Sequence, residues 1–496
     1  MKKRFVYHCC GAVVVLVWVL MVGRLIRTVH FGDADATVDE MRSVATIDAP
    51  ERTWKEIYLK NDKVGYSVSM INPQEDGYLI QEEVFLKLNL MGLSSGMHTV
   101  TWSNVDKQFF LKNFNFRMSS GAVDFKISGR VEGDYLVFSS GKGASSKSQR
   151  IRLTSRPMLG ATMGHFFKHQ RINVGESFRI PVFDPSTMSQ KEVLIKVVAK
   201  EPIEISRFTY DAYRLEAVVW GRTMTFWVDQ DGTTLKEEGF MGLVAVKSNA
   251  ARAPRDIKGS MDFYEASAVA ADRKLPDHKR LRYLKVELHG IEGITVNTDA
   301  WHGGRQKYRD GILEINKESV PVGAPLILPY NSLDNNLKPF LEPDFNIESQ
   351  APEIINKASE IAGREKSPLA VAGRTMTWVY QNLEKRPVVS IPSAKEVLRT
   401  RVGDCNEHAT LLTALLRASG IPARLSIGLV YTRNQFFYHA WTEAYIGEWI
   451  SMDAVLNQMP VDATHIKLIE GNLDKQVELA GLIGLLKLKV IDYAHD

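Results

Sequence analysis

Residues 402–425 read VGDCNEHATLLTALLRASGIPARL, and this stretch decides the fold expected for the C-terminal part of the chain. Asp404 is an N-cap residue type with Glu407 three positions on, which is the spacing of a capping box, and Gly420 is a helix stop. Between them, apolar residues recur at helical spacing: Leu411, Leu412, Leu415 and Leu416. The stretch therefore predicts a helix that carries Cys405 in its first turn.

The apolar pattern changes after this helix to a period of two, which is typical of strands. Strands are predicted near 425–431, 437–445 and 448–452. Two further helices are predicted upstream, one opened by Pro352 and one by Ser367-Pro368, because Pro is favoured in a first helical turn. A helical part followed by antiparallel strands makes the expected fold class of this module α+β.

A large antiparallel β-rich region is predicted over residues 50–265, where apolar and polar side chains alternate. Asp231-Gly232 lies between two such runs and is a hairpin signal. We expect this region to be a β-rich domain of unknown role. Residues 266–350 are expected to be a connector and strand-rich lead-in, and residues 351–480 to be the domain that carries Cys405.

The first 27 residues differ from the rest of the chain. Three basic residues precede an apolar run over 6–23, about 18 residues long, which is near the lower limit for a membrane-spanning helix. The nearest Ala-x-Ala, Ala34-Asp35-Ala36, is far downstream, so we predict an uncleaved signal anchor over 1–27, with a cleaved signal peptide as the alternative. The charge bias then predicts a single-pass protein of the cell inner membrane, with its body on the periplasmic, extracytoplasmic side.

The overall composition is ordinary for a globular protein. The chain has 496 residues, 45% hydrophobic and 24% charged, with a net charge of +4. This composition argues against disorder, and neither a basic repeat nor a zinc-finger spacing points to nucleic acid as a partner. No cofactor and no metal are expected.

Cysteine usage draws attention to one thiol. Of three cysteines, Cys9 and Cys10 lie in the apolar N-terminal run, so Cys405 is the only one in the body of the chain. A helix N-terminus favours the thiolate, which is the nucleophilic form, so the pKa of Cys405 is predicted to fall. The alternative is an inert, buried thiol.

Two later residues complete a nucleophile, base and orienting acid. His439 falls within the second predicted strand, and Asp453 falls at the end of the third. If residue 445 pairs with residue 448, Asp453 ends up beside His439. The arrangement Cys405, His439, Asp453 then suits covalent catalysis. Alone, a strand His is usually structural and an Asp at a strand end is usually a turn residue.

The same segments resemble bacterial transglutaminase-like proteins over about 350–475. The motifs that carry the resemblance are VGDCNEHA at 402–409, ASGIPAR at 418–424, YHAWTE at 438–443, SMDA at 451–454 and DATHIK at 462–467. In that family Pro commonly follows the Asp, whereas Ala454 stands here. The resemblance implies a papain-like fold with Cys405, His439 and Asp453 as the catalytic triad.

The leading functional hypothesis is acyl transfer on protein or peptide amides by a membrane-anchored, exported thiol enzyme. Water as the acceptor gives a peptidase or deamidase, and an amine gives a transglutaminase. One alternative is a zinc site, because Cys405, His408, His439 and Asp453 are all acceptable types of zinc ligand. Another is a non-catalytic scaffold that binds an envelope partner. His465 could line the cleft and Trp378 could serve near an oxyanion hole, although packing roles are open for both.

Overall fold

The computed structural model describes residues 36–37, 47–121, 123–140, 148–160, 162, 167, 172–219, 222–239, 242–291, 298–320, 326–388, 390–391, 393–471, 475, 479 and 482–496. Sixteen strands of this part form one sheet. They are β1 (Ala36–Thr37), β2 (Glu51–Leu59), β3 (Asp62–Gln74), β4 (Gly77–Leu90), β5 (Leu93–Val105), β6 (Leu111–Ser120), β7 (Val123–Glu132), β8 (Tyr135–Ser140), β9 (Gln149–Arg152), β10 (Met158–Leu159), β11 (Ser177–Asp184), β12 (Ser189–Ile205), β13 (Phe208–Val219), β14 (Arg222–Val228), β15 (Thr234–Glu238) and β16 (Leu243–Ser248).

The large sheet is an antiparallel meander in two runs, β2 to β9 and β11 to β16, joined where β16 pairs with β2. Short connections favour this arrangement, because consecutive antiparallel strands need only tight turns between them. The predicted hairpin at Asp231-Gly232 is confirmed, since it joins β14 to β15 and Gly232 has φ +76°. Glycine adopts that backbone conformation without strain.

Side chains bring the two ends of the meander together. Phe114 of β6 and Phe183 of β11 have ring centroids 5.7 Å apart, and both belong to one buried apolar cluster. Leu111 N donates to Pro157 O at 2.8 Å, and Gln190 Oε1 accepts from Thr154 N at 2.9 Å. The sheet therefore curls until β6 to β9 lie against β10 to β12.

The remaining described strands form smaller sheets. They are β17 (Val269–Ala270), β18 (Leu281–His289), β19 (Gln306–Arg309), β20 (Ile312–Asn316), β21 (Glu384–Lys385), β22 (Val402–Gly403), β23 (Ala423–Thr432), β24 (Gln435–Tyr445), β25 (Trp449–Met452), β26 (Ile466–Glu470) and β27 (Lys487–His495). One sheet contains β17, β23, β24, β25 and β26, and another has the order β19-β20-β18-β27. The pairing of β27 with β18 has no counterpart in the sequence prediction.

The described α-helices lie mostly in one part of the chain. They are α1 (Phe263–Ala266), α2 (Pro352–Ala362), α3 (Pro368–Asn382), α4 (Ala394–Thr400) and α5 (Cys405–Ala418), with 3-10 turns at His278–Arg280, Asp299–Trp301 and Asn335–Leu341. The predicted starts at Pro352 and Ser367 are confirmed, and Gly363 ends α2 at φ 60°. α5 is buried on almost every side against α2, α3, α4 and β24, which explains its run of leucines.

The predicted fold class was wrong. The part of the chain that the structure describes is mostly β, with 50% in strands and 17% in helices, rather than α+β. The prediction gave too much weight to the helices between 352 and 418. The meander and the sheet of β18, β19, β20 and β27 contain most of the described strand residues, because alternating apolar patterns extend over much of the chain.

The predicted membrane helix and inner-membrane location are likewise corrected. Among the residues that the structure describes, no helix is both long enough and apolar enough to cross a membrane. The predicted anchor at 1–27 lies outside the described residues. The single-pass prediction had rested on one apolar run and its flanking charges alone.

Candidate active site

Helix α5 begins with a capping box that fixes the position of Cys405. The Asp404 side chain accepts from Asn406 N at 3.1 Å, and Glu407 Oε2 accepts from Asp404 N at 2.9 Å. Ser390 Oγ also donates to Glu407. Two backbone N–H groups at the helix entrance are thereby satisfied, so Cys405 is held as the first helical residue.

The thiol of Cys405 faces β24. Burial raises its pKa well above the ordinary value, and Asp404 adds to the rise, while the backbone N–H of Ala440 acts in the opposite direction. The predicted fall in this pKa was wrong. The helix N-terminus is present as expected, but removal from water disfavours the charged thiolate more strongly.

The carboxyl of Asp404 has a raised pKa for the same kind of reason. Burial is the largest cause, and the neighbouring Glu407 carboxylate adds to it. Two carboxyl groups that share a buried site cannot both ionise easily. The pair at the helix entrance therefore carries less negative charge toward the thiol than two free carboxylates would.

His439 and Asp453 are in direct contact. His439 Nε2 lies 2.7 Å from Asp453 Oδ2, and both side chains are buried. The register differs by one residue from the predicted one, because Tyr445 pairs with Trp449. Continuing that register puts Asp453 opposite Trp441, on the face that His439 shares, since side chains alternate along a strand. With Nε2 on the carboxylate, Nδ1 is the ring nitrogen left to exchange a proton with a nucleophile.

Both oxygens of Asp453 are fully used. Oδ1 accepts from Val455 N at 2.6 Å and Leu456 N at 3.0 Å, while Oδ2 faces His439 and, at 3.1 Å, His465 Nε2. Burial raises the pKa of Asp453, but the two histidines outweigh that effect and the net shift is downward. Asp453 is therefore a carboxylate at neutral pH.

His465 is a second histidine on the same aspartate, which sequence reasoning considered only as a residue lining the cleft. It is fully buried, and its Nδ1 lies 3.4 Å from Asp462 Oδ1, an ion-pair distance. Burial lowers the pKa of His465, but Asp453 and Asp462 outweigh it and raise the pKa to about 9. The signal in the sequence was the motif at 462–467, where Asp and His are three positions apart.

The zinc site considered as an alternative, with Cys405, His408, His439 and Asp453 as ligands, is only partly assembled. Among the described residues, His439, Asp453 and His465 have ligand atoms within 4.8 Å of one another. His408 is not in that group; its Nδ1 lies 2.7 Å from Asp404 O, and burial lowers its pKa. A protonated His465 offers no lone pair to a metal, so a cation would have to displace a proton there.

Aromatic side chains surround the buried histidines. The rings of Trp441 and His465 are 5.3 Å apart and nearly perpendicular, and Tyr264 of α1 stacks on Phe437 at 4.6 Å. The pKa of Tyr264 is raised mainly by burial and also by Cys405, so Tyr264 lies near the thiol. Nothing in the sequence indicated that residues near 264 reach this site. Trp378, by contrast, packs against Arg401 and Lys357 and behaves as a packing residue.

Comparison with known proteins assigns the domain. Residues 355–454 match the model of the transglutaminase-like superfamily. The chain therefore carries a transglutaminase-like domain, as the sequence motifs predicted. The match covers Cys405, His439 and Asp453, and it ends before His465. No curated protein matches the chain.

Several solved structures are similar to parts of the chain. A protein from Cytophaga hutchinsonii, described as a candidate cysteine protease, is 19% identical, with 43% of this chain and 87% of that chain covered and a TM-score of 0.28. The periplasmic domain of TgpA from Pseudomonas aeruginosa, bound to ethylmercury, is 17% identical, with 38% of this chain and 91% of that chain covered and a TM-score of 0.24. A β-barrel-like protein of unknown function from Brucella abortus is 12% identical, with 41% of this chain and 98% of that chain covered and a TM-score of 0.31.

Proposed function

We propose that the protein is a thiol enzyme that transfers acyl groups from protein or peptide amides, with Cys405 as nucleophile, His439 as base and Asp453 as orienting acid. The observation that carries the proposal is the buried 2.7 Å contact between His439 and Asp453, on the strand whose Ala440 N–H acts on the Cys405 thiol. The transglutaminase-like domain match supports the same chemistry.

The raised pKa of Cys405 decides how the reaction begins. Since burial favours the neutral thiol, the resting enzyme holds Cys405 as S–H. His439 Nδ1 takes that proton as the sulfur attacks the amide carbon, and the negative charge moves to the carbonyl oxygen. The dipole at the N-terminus of α5 favours negative charge near Cys405 and is suited to stabilise this oxyanion. Collapse expels the amine, which leaves with the proton from His439.

The second half-reaction consumes the thioester on Cys405. His439 removes a proton from an incoming water or amine, which attacks the acyl carbon and releases the thiol. Water gives hydrolysis and a primary amine gives transamidation. Hydrolysis is the default outcome, because water is always present, while transamidation needs a site that excludes water.

Asp453 and His465 position the base in this scheme. Asp453 fixes the tautomer of His439 with the proton on Nε2 and stabilises the imidazolium that forms. His465, protonated and fully buried, holds Asp453 from the other side. We propose His465 as a positioning residue, because it acts through Asp453.

The test uses p-nitrophenyl acetate, an activated acyl donor, with intact-protein mass spectrometry of the full chain. The wild type is expected to form an acetyl adduct on Cys405, which water or added glycine ethyl ester discharges. Cys405→Ala should form none, and His439→Ala should form it much more slowly. Equal acylation rates in wild type and His439→Ala would refute the proposal. Release of the N-acyl amine in preference to acetate would assign transamidation.

The domain division also stays a proposal: a β-rich unit at 50–265, a lead-in at 266–350 and a catalytic unit at 351–480. Pairing of β27 with β18, which lies in the lead-in, supports grouping residues 487–495 with the lead-in. Limited proteolysis followed by mass spectrometry tests the division. Cleavage near 250–280 with two stable fragments supports it, and uniform degradation contradicts it.

A further inference from the structure

The curled meander encloses a cavity of about 530 Å³. This volume lies within the range of small-molecule sites, roughly 300 to 1,000 Å³. The transglutaminase-like domain contributes none of the described lining residues; all of them come from the meander or the segments between its strands. Whatever the cavity holds, it is therefore separate from the chemistry at Cys405.

The two walls of the cavity differ in character. The wall from β2 to β5 is rich in hydroxyls and charges: Thr53, Lys55, Ser67, Ser69, Glu82, Thr99 and Thr101. The opposite wall, from β11 to β14, is mainly aliphatic and aromatic: Val182, Val193, Ile195, Val219, Met224, Phe226 and Val228. Asp184 and Lys191 line the β11–β12 end. A ligand that fits must have one polar edge and one apolar edge.

The charges on the polar wall are not balanced. Lys55 forms an ion pair with Glu237, which lines the cavity from β15. Glu82 has no hydrogen-bond or ion-pair partner among the described residues. Asp184 Oδ1 already accepts a hydrogen bond from Ser186 N at 2.8 Å. Glu82 is thus a carboxyl that faces the cavity without a partner.

An unpaired carboxyl in such a place is unfavourable unless something compensates it. Burial raises the pKa of Glu82, Lys55 offsets only part of the rise, and the like charge of Glu237 adds to it. A carboxylate removed from water needs a cation or hydrogen-bond donors. An ammonium group beside Glu82 would supply both.

We infer that this cavity is a binding site for a small amphipathic cation, with an ammonium group at Glu82 and an apolar body against the β11–β14 wall. The hydroxyls of Thr99 and Thr101 lie on the same wall as Glu82 and can accept hydrogen bonds from the remaining ammonium N–H groups. Glu82 pairs directly with Thr101 across β4 and β5, which places these groups together.

Isothermal titration of the full chain with octylammonium, octanol and octanoate, below their micelle concentrations, tests this inference. Wild type should bind octylammonium at least about tenfold more tightly than octanoate, with octanol between them. Glu82→Gln should lose that preference. This variant is expected to fold, because Gln has nearly the same shape as Glu and Glu82 has no partner among the described residues to lose, and circular dichroism checks that it does.

The matched control is Glu83→Gln. Glu83 is the next residue on β4 and faces the other side of the sheet, where it contacts Tyr66 and His98. Glu83→Gln changes the net charge by the same amount as Glu82→Gln and should leave the preference for octylammonium intact. If Glu82→Gln does not fold, Thr101→Leu provides a second variant, since it removes a hydroxyl and fills space beside Glu82. Octanoate binding as tightly as octylammonium, or an unchanged preference in Glu82→Gln, would overturn the inference.

Discussion

At the scale of single residues, the site is organised around Asp453. One carboxylate is bonded by two backbone N–H groups and by two histidines, so every lone pair has a partner. Such an arrangement fixes the ring of His439 more firmly than a single hydrogen bond could. It also means that changes at Asp453 propagate to both histidines.

Asp453→Asn should lower the acylation rate of Cys405 by about 10³-fold or more. The Asn oxygen is expected to stay on Val455 N and Leu456 N, which turns its NH₂ toward His439. His439 Nε2 must then accept, the proton moves to Nδ1, and the base is lost. The rate with p-nitrophenyl acetate measures the effect. Wild-type rates in a folded Asp453→Asn protein would remove Asp453 from the mechanism.

Two substitutions at His465 separate a positioning role from a packing role. His465→Gln keeps an N–H donor for Asp453 and should retain acylation within about tenfold, whereas His465→Leu, which has no donor, should lose about 10²-fold. The loss should fall on the rate constant and leave the apparent KM nearly unchanged. Equal rates for both variants would mean that His465 only fills space.

His465 also makes stability depend on pH. Its pKa is raised from 6.5 to about 9, so its contribution is fully present below about pH 6.5 and is lost as pH rises toward 9. The Tm of wild type should therefore fall between pH 6.5 and 9 by more than that of His465→Gln. Differential scanning calorimetry at pH 6, 7.5 and 9 measures this. Parallel curves for both proteins would show that His465 is not protonated in the folded state.

At the scale of elements, a glycine allows the strand that follows His465 to pack closely. A Cβ on Gly428 of β23 would lie 1.8 Å from Ile466 O, a backbone atom of β26. Gly428 also pairs directly with His439 of the neighbouring strand β24. The close approach of β26 to β23 therefore places His439 and His465 on the same aspartate.

Gly428→Ala should destabilise the protein by roughly 2 kcal/mol and lower the acylation rate, because β26 must move away from β23. The control is Gly373→Ala in α3, where an added Cβ meets nothing within 4 Å. That change should be neutral or slightly stabilising, since Ala favours helix. Urea unfolding of both variants provides the measurement. A Gly428→Ala protein as stable and active as Gly373→Ala would contradict the argument.

At the scale of the whole molecule, the meander and the transglutaminase-like domain share an apolar contact. Phe345, which precedes α2, lies 5.9 Å from Phe125 and 5.8 Å from Phe138, measured between ring centroids. Ile391, close to the capping box of α5, belongs to the same buried cluster. The contact ties the β-rich region to the part of the chain that leads into the site.

Phe345→Ala should separate the unfolding of the two regions. About 2 kcal/mol should be lost, less than the 3–5 kcal/mol of a fully buried phenylalanine, because Phe345 is only partly buried. Calorimetry should then resolve two transitions. Phe340→Ala is the control, since Phe340 packs on Trp449 inside the C-terminal region. Identical traces for both variants would show that Phe345 does not couple the regions.

Local signals in the sequence were sufficient for much of the C-terminal region. The capping box placed Cys405 at the start of α5, Pro352 and Ser367 marked helix starts, and the motif order identified the transglutaminase-like domain. These features succeed because capping, helical starts and hairpin turns depend on residues only a few positions apart.

Only the tertiary structure decided the features that depend on distant residues. The raised pKa of Cys405 follows from burial, which the helix N-terminus alone does not reveal. The pairing of His465 with Asp453 needed the turn after β25 and the approach of β26, and the reach of Tyr264 to the site needed a contact across more than 100 positions. The curl of the meander and its cavity are equally non-local. Sequence patterns report which face of a strand is apolar, but curvature and burial arise only when all the strands have paired.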